Sequence, residues 1–474
     1  MHATTTTTTG PRHAEMACRS GSRSRITTPS AAKFDISDLD MPGIDGDLQS
    51  VQTELGASFG EDGVALTYSS GSKQQAVEAS DSGVALVDRS HWPRLILQGR
   101  DRGPLLQKYT THDFTGLTPG SGCDTVLLDS NGHAVDLVTA FLSESHATLV
   151  VSPGGQRAVT DWVAAMCADG DLKVKVVDVT HRTNMLALVG PESENVLREM
   201  TAAGAGEPPV PGLAGAYGSH SLLNFRGTPL QVSVGCGLPC NGYTIVCDES
   251  VSGELFSLFA VKGCILMGEE EWECTRVLAG RPSLAAGELG PGCAPLEAGL
   301  YHTTSLRKAI GYDGMRALAS AEATGHVREL WGLSLASSAS PGDRISLGGV
   351  EVGRVSSATT TPTGEHFALG YVSAAAGGGG AGGRLASGMA VQVGDSAVGT
   401  LSDLPYASRG FLAAPVAGVV LGPGSKVMAT QAEAEAARAV EGAVLLAAEK
   451  KVRVAEGAAR LAAWQARQMG GRQA

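Results

Sequence analysis

The sequence predicts an α+β fold of ferredoxin-like units, followed by a small antiparallel β-barrel and an Ala-rich C-terminal helix. Strand-like apolar runs alternate with stretches of helical spacing, and the order strand, helix, strands, helix, strand occurs once before and again after residue 215. Near Leu330 the texture changes to short apolar strands separated by Gly-Gly and Pro-Gly turns, the pattern of a barrel or sandwich. The tail is rich in Ala with interleaved charges, the composition of a helix. The resulting divisions are a leader over 1–45, an α+β domain over 46–328, a barrel over 329–415, and a linker with a helical tail over 416–474.

The leader holds Arg12, Arg19, Arg23, Arg25 and Lys33 against the single acid Glu15, a net +4 over the first 33 residues. The whole chain carries −12, so the remainder carries −16. A Ser/Thr- and Arg-rich, acid-poor leader without an apolar run reads as an organelle transit peptide, chloroplast ahead of mitochondrion. The alternative is a plain disordered N-terminus. An acidic body with no basic block argues against a nucleic-acid partner, because phosphate contacts need clustered Lys or Arg. Apolar residues make up 43% of the chain, yet no run reaches the ~18 residues of a membrane span. The nine cysteines include no CxxC pair and no His cluster at zinc spacing, so they read as reduced, mostly buried small residues with no metal site.

The elements follow in order. "RLILQG" is a strand, and "DRGPLLQKYT" a short helix with Asp101 near its N-cap. "DTVLLDSNGHAVDLVTAFLSESHATLVVS" reads as strands joined by turns, with Asn131-Gly132 a hairpin signal. Val159, Trp162, Val163 and Met166 fall at helical spacing in "GGQRAVTDWVAAMCADG", and "VKVVDVTHRTNMLALVG" adds two strands. The second round comprises "LQVSVGC", "GYTIVCD", a helix over "SGELFSLFAVKG", and "EEEWECTRVLAGRP". "LWGLSL", "DRISLGGVEVGRVSSATT", "HFALGYV", "MAVQVG" and "AVGTLSDLPY" are the barrel strands, and "SAAAGGGGAGG" (373–383) is a flexible insertion between two of them. In the tail, Val440, Val444 and Ala447, and then Leu461 and Trp464, recur at helical spacing, which fits either a partner-binding helix or a solvated extension.

No P-loop, nucleophile elbow or GxGxxG is present. Asp136 interrupts an apolar strand just after a turn, so it either satisfies backbone N–H groups or acts on a ligand. "YTTHDF" (109–114) brings His112 and Asp113 to a helix end, where an Asx-type turn is the simpler reading. Glu297 lies in the apolar segment "PLEAGL" and either contacts a ligand or forms an ion pair with Arg276 or Arg281. Arg307 and Lys308 either neutralise an anionic ligand tail or are simply solvated.

The run from "GVALVDRSHWPRLILQG" to "GCDTVLL" resembles the opening of the folate-binding domain of the aminomethyltransferase (glycine cleavage T-protein, GcvT) superfamily. "WECTRVLAGRP", then "PLEAGL", "SLRK" and "LWGL", resemble its YgfZ-like branch, whose members bind tetrahydrofolate and support iron–sulfur clusters. The likeness covers about residues 78–410. It implies a GcvT-type folate-binding domain with a C-terminal barrel, reduced folate as cofactor, and iron–sulfur proteins or their assembly factors as partners. It also implies Asp136 as the carboxylate facing folate N5, the one catalytic candidate, and a folate pocket of Asp136, Tyr243, Trp272, Arg276, Glu297 and Lys308. The alternatives are an aminomethyltransferase-like one-carbon transferase and a degenerate, non-catalytic paralogue.

The sequence departs from the family pattern at several positions. Cys240 stands where aminomethyltransferases hold the pterin with a glutamate, and Trp272 where they carry an arginine. Both losses argue against aminomethyl transfer. They leave aromatic faces, Trp272 and Tyr243, able to stack on a pterin. In the slot of the branch motif K-G-C-Y-x-G-Q-E, Lys308 keeps the lysine, but Ala309 and Ile310 replace Gly and Cys. Gly311, Asp313, Gly314 and Met315 replace the rest, so no thiol chemistry runs through this slot.

Overall fold

Pleat alternation in the strands decides how the layers meet. The computed structural model describes residues 33–34, 47–69, 72–201, 216–309, 311–312, 314–377 and 385–407. The leader apart from residues 33–34, Ile310, Asp313, most of the Gly-rich insertion and the Ala-rich tail lie outside the described residues.

The first layer is a seven-stranded sheet, mostly antiparallel, in the order Lys33–Phe34, His220–Phe225, Thr228–Val234, Gly242–Asp248, Thr183–Val189, Ala85–Asp88 and Ile265–Met267. Side chains on successive residues face opposite ways. Leu86, Leu188 and Ile245 therefore pack with Phe256 and Phe259 of the helix Glu249–Val261 and with Val51 of Leu48–Glu54. Val87, Ala187 and Val189 face the other way, onto Met267, Leu238 and Trp272 of the helix Glu269–Ala279.

The second layer is a five-stranded antiparallel sheet, in the order Ser121–Leu128, Ala134–Leu142, His146–Val150, Arg94–Gln98 and Lys175–Asp178. One face (Leu97, Leu127, Val138, Ala140, Leu149) covers the helices Arg102–Tyr109 and Gln156–Gly170 through Leu105, Val159 and Trp162. The opposite face (Val126, Leu128, Leu137) packs on Leu296, Leu300 and Tyr406. The Asn131-Gly132 turn forms as its residues predict. Asp129 Oδ1 accepts from the N–H groups of Asn131 and His133 at 2.9 and 2.8 Å, and Gly132 takes φ +82°, where a side chain would be strained. Asp101 is the N-cap residue of its helix, but its carboxylate accepts instead from the N–H of Lys173 at 2.8 Å.

The six strands Arg328–Leu335, His366–Ser373, Val350–Thr360, Arg344–Leu347, Ala390–Val393 and Ala397–Ser402 close into an antiparallel barrel, which removes sheet edges. Arg276 ties the barrel to the helix Glu269–Ala279. Its guanidinium, 3% exposed, pairs with Glu273 at 2.6 Å and with the fully buried Glu288 at 2.9 Å, and it donates to Ser357 of the barrel at 2.8 Å. Glu288 in turn accepts from Ser356 and Ser357 at 2.8 and 2.6 Å. Among the described residues no helix is long and apolar enough to cross a membrane.

Candidate functional site

Two concavities lie on either side of the turn Arg89–Pro93, which joins one sheet to the other. Ser90, His91 and Pro93 face an outer cleft of about 520 Å³, a volume in the range of small-molecule sites. Arg89 and Trp92 face an inner cavity of about 20 Å³, room for one water.

The outer cleft is polar. Gln156, Arg157, Thr180, His181 and Asn184 supply hydrogen-bonding groups, and Gly154 supplies bare backbone. Asp136 lies directly beneath. Its Oδ2 accepts from the N–H of Ser152 at 2.9 Å and would sit 2.9 Å from a Cβ at Gly155, the residue between the cleft-lining Gly154 and Gln156. Its Oδ1 is buried with no hydrogen-bond partner. Burial pushes the carboxyl up to about 6, against the lowering pull of the Ser152 hydrogen bond and the Arg281 charge. A carboxyl that changes charge just below neutral pH is matched to proton exchange with a bound group. His91 is held neutral, pushed down to about 4 by burial and the nearby Arg89 charge.

The inner cavity is built around cations and aromatic faces. The Arg89 guanidinium sits 3.6 Å from the Trp92 ring centroid and 4.3 Å from that of Trp272, and its Nη1 donates to the Cys236 carbonyl at 2.7 Å. Arg281 lies 5.0 Å from Trp92 and 5.8 Å from Tyr406. Burial and Arg281 together draw Arg89 down to about 9. No carboxylate lies within ion-pair distance of Arg89 or Arg281 among the described residues. Behind the cavity wall, the buried Asp124 accepts from Thr139 at 2.6 Å, from Tyr217 at 3.0 Å and from Tyr406 at 3.2 Å. Tyr406 follows the last barrel strand, so all three parts of the molecule meet here.

The six residues read from the sequence as a folate pocket do not converge. Asp136 lies under the outer cleft. Trp272 is fully buried beneath Arg89 at the inner cavity. Tyr243 points into the helix-side core with Leu197 and Phe256, and its neighbour Thr244 takes the cavity-facing position. Arg276 is consumed by Glu273 and Glu288. Glu297 pairs with Arg328 at 3.1 Å and with neither Arg276 nor Arg281, because its loop lies against the start of the first barrel strand, where Leu330 N–H donates to its carbonyl. Lys308 is not solvated. It is 4% exposed and donates to the Thr110 carbonyl at 2.8 Å, and burial draws it down to about 8. Asp113 accepts from Thr115 N–H and from Gln107, each at 3.0 Å, the Asx-type turn its residues favour.

Sequence reasoning passed over Arg89 and Asp124, and weighed Arg281 only as an ion-pair partner of Glu297. Asp124 carried the same signal as Asp136, an acid inside an apolar strand, and the same rule finds it. The arginines carried no such signal, since an isolated Arg beside a turn is ordinarily exposed. Among the described residues no group of three or more His, Cys, Asp or Glu is arranged to hold a metal ion.

The GCVT N-terminal domain family model matches residues 48–209. An Arabidopsis thaliana protein named "Putative transferase At1g60990, chloroplastic" is 31% identical over 375 residues, which covers 78% of this chain and 82% of the relative. An aminomethyltransferase of Listeria welshimeri is 27% identical, over 60% of this chain and 77% of its own. The glycine cleavage system aminomethyltransferase T of Bartonella henselae shares the fold, with a TM-score of 0.63 at 19% identity over 75% of this chain and 96% of its own.

Proposed function

The chain belongs to the GCVT-domain (GcvT) family, of which the aminomethyltransferases and a chloroplastic plant protein are members, and on that premise we propose that it binds reduced folate in the outer cleft, within a plastid. The observation that carries this reading is a cleft of about 520 Å³ lined by Gly154 and Gln156, with the Asp136 carboxyl 2.9 Å from where a Cβ would stand on Gly155 between them. The lining suits a folate. Asn184, Thr180 and Gln156 offer donors and acceptors to the edge of a pterin, and Arg157 and His181 offer positive or titratable partners to a glutamate tail. The inner cavity does not suit it, because Arg89 occupies the slot between the two indoles and the remaining space is water-sized. Tetrahydrofolate supplies an N5 amine able to carry a one-carbon unit. Asp136 is the group of this chain able to hold or take up a proton beneath it.

Calorimetry with tetrahydrofolate on the full chain tests the reading. Micromolar-range binding is expected, and Arg157→Glu is expected to weaken it by about tenfold, the loss of roughly one charge-assisted contact. Arg157 is 93% exposed, so the variant leaves the core untouched. No binding would remove the folate reading, and binding indifferent to Arg157→Glu would place the ligand elsewhere.

The same proposal extends to support of iron–sulfur proteins rather than aminomethyl transfer. What supports this is the resemblance of the "WECTRVLAGRP" and "PLEAGL" runs to the YgfZ-like branch, together with Cys240 and Trp272 in place of the glutamate and arginine. Depleting the protein is then expected to lower the activity of plastid iron–sulfur enzymes while their polypeptide levels hold. Unchanged activities would overturn the extension.

A further inference from the structure

The loop between the strands Thr228–Val234 and Gly242–Asp248 reads Gly-Cys-Gly-Leu-Pro-Cys-Asn over residues 235–241. It folds back on itself, so that Cys236 Sγ and Cys240 Sγ stand 3.7 Å apart. Both are free thiols, Cys236 fully buried and Cys240 half-buried. The space for Cys236 exists only because residue 242 is glycine: a Cβ there would come within 2.8 Å of both Cys236 Cβ and Sγ. The Cys236 sulfur also faces the carbonyls of Leu238 and Cys240, at 4.0 and 3.9 Å.

We propose that Cys236 and Cys240 form a reversible dithiol–disulfide pair that hydrogen peroxide oxidises. The two thiols are already unequal. A hydrogen bond from Cys240 draws the Cys236 thiol below its ordinary range, with help from the Leu238 backbone and the Arg89 charge, and the same bond pushes Cys240 well above its own.

In the first step the Cys236 sulfur attacks one peroxide oxygen. An S–O bond forms, the O–O bond breaks, and the leaving hydroxide takes a proton to become water. In the second step the Cys240 sulfur attacks Cys236 sulfur. The S–S bond forms at ~2.05 Å, the S–O bond breaks, and the hydroxyl leaves as water with the Cys240 proton. Two thiols lose two electrons in total, and one peroxide becomes two waters. A dithiol reverses the step by attacking the more accessible Cys240 sulfur.

The bond would tighten the loop that carries Gly235 and Gly237, both on the inner cavity wall, and the Cys236 carbonyl that holds Arg89. The oxidation state of the pair therefore bears on the Arg89 slot. It is independent of whether folate binds.

The full chain, reduced and freed of reductant, is treated with a small excess of hydrogen peroxide. Of the nine cysteine thiols two are expected to be lost, and a single peptide spanning Cys236 and Cys240 is expected two hydrogens lighter. Dithiothreitol is expected to restore both thiols. In Cys240→Ser, dimedone should label Cys236, where the sulfenic acid has no resolving partner. Peroxide that oxidises other cysteines first, or leaves the 236–240 peptide at its reduced mass, overturns the proposal, and the wild-type peptide mass decides even if the variant misfolds.

Discussion

Arg276→Ala is expected to lower the stability of the chain by about 3–5 kcal/mol, the range for removing one partner of a buried ion pair. The cost comes from what remains. Glu288 is fully buried and would keep Ser356, Ser357 and the N–H of Ser283 as partners, but no positive charge. The same change cuts the link from the helix Glu269–Ala279 to the barrel strand Val350–Thr360 through Ser357. Urea denaturation of Arg276→Ala, Glu288→Leu and the double variant Arg276→Met/Glu288→Leu measures this directly. The double variant is expected to lie closer to wild type than Arg276→Ala, because it leaves no orphaned charge. A loss below about 1 kcal/mol for Arg276→Ala would mean that the pair is not desolvated as its burial implies.

The second large effect is a pH dependence centred on Asp136. Burial holds its carboxyl at about 6 in the folded chain, against an ordinary 3.8. Below pH ~4 the group is protonated in both states and carries no penalty. As pH rises from about 4 to 6, the unfolded chain ionises first, so stability is lost through this window and levels off above it. The full loss is about 3 kcal/mol, from about 1.4 kcal/mol per unit of pKa difference. Asp136→Asn keeps an acceptor for Ser152 N–H and removes the titration. Its stability profile from pH 4 to 7 is therefore expected to lack the wild-type fall. Parallel profiles for the two proteins would show that Asp136 ionises normally in the folded chain. The folate reading adds a second consequence: Asp136→Asn should abolish any folate-dependent turnover while leaving binding nearly intact.

Much of the fold is legible in the residues because it is local. Alternating apolar positions mark the strands, Asn131-Gly132 marks a tight turn, and the Gly- and Pro-punctuated strands after Leu330 mark the barrel. The site is legible only in part. Asp136 was visible as an acid in an apolar strand, whereas the partners of Glu297 and Lys308 were not. Glu297 meets Arg328 because the loop that carries it runs against the barrel, and Lys308 meets the Thr110 carbonyl 198 residues away. Neither partnership has a signature in spacing, because each depends on which layers stack and in what register.

By itself, the sequence determined the family and the α+β core with its barrel. The tertiary structure decided which polar groups share a space. It set Asp136 near one concavity and Arg89 and Arg281 around another with Asp124 behind its wall, dispersed the other four sequence-read residues (Tyr243, Arg276, Glu297 and Lys308) into the core and the barrel junction, and brought two thiols to 3.7 Å. The physical reason is range. Turn chemistry and side-chain periodicity act over a few residues, so composition reveals them. The burial that shifts a carboxyl, or the carbonyl that captures a lysine, comes from chain segments that meet only when the sheets pack.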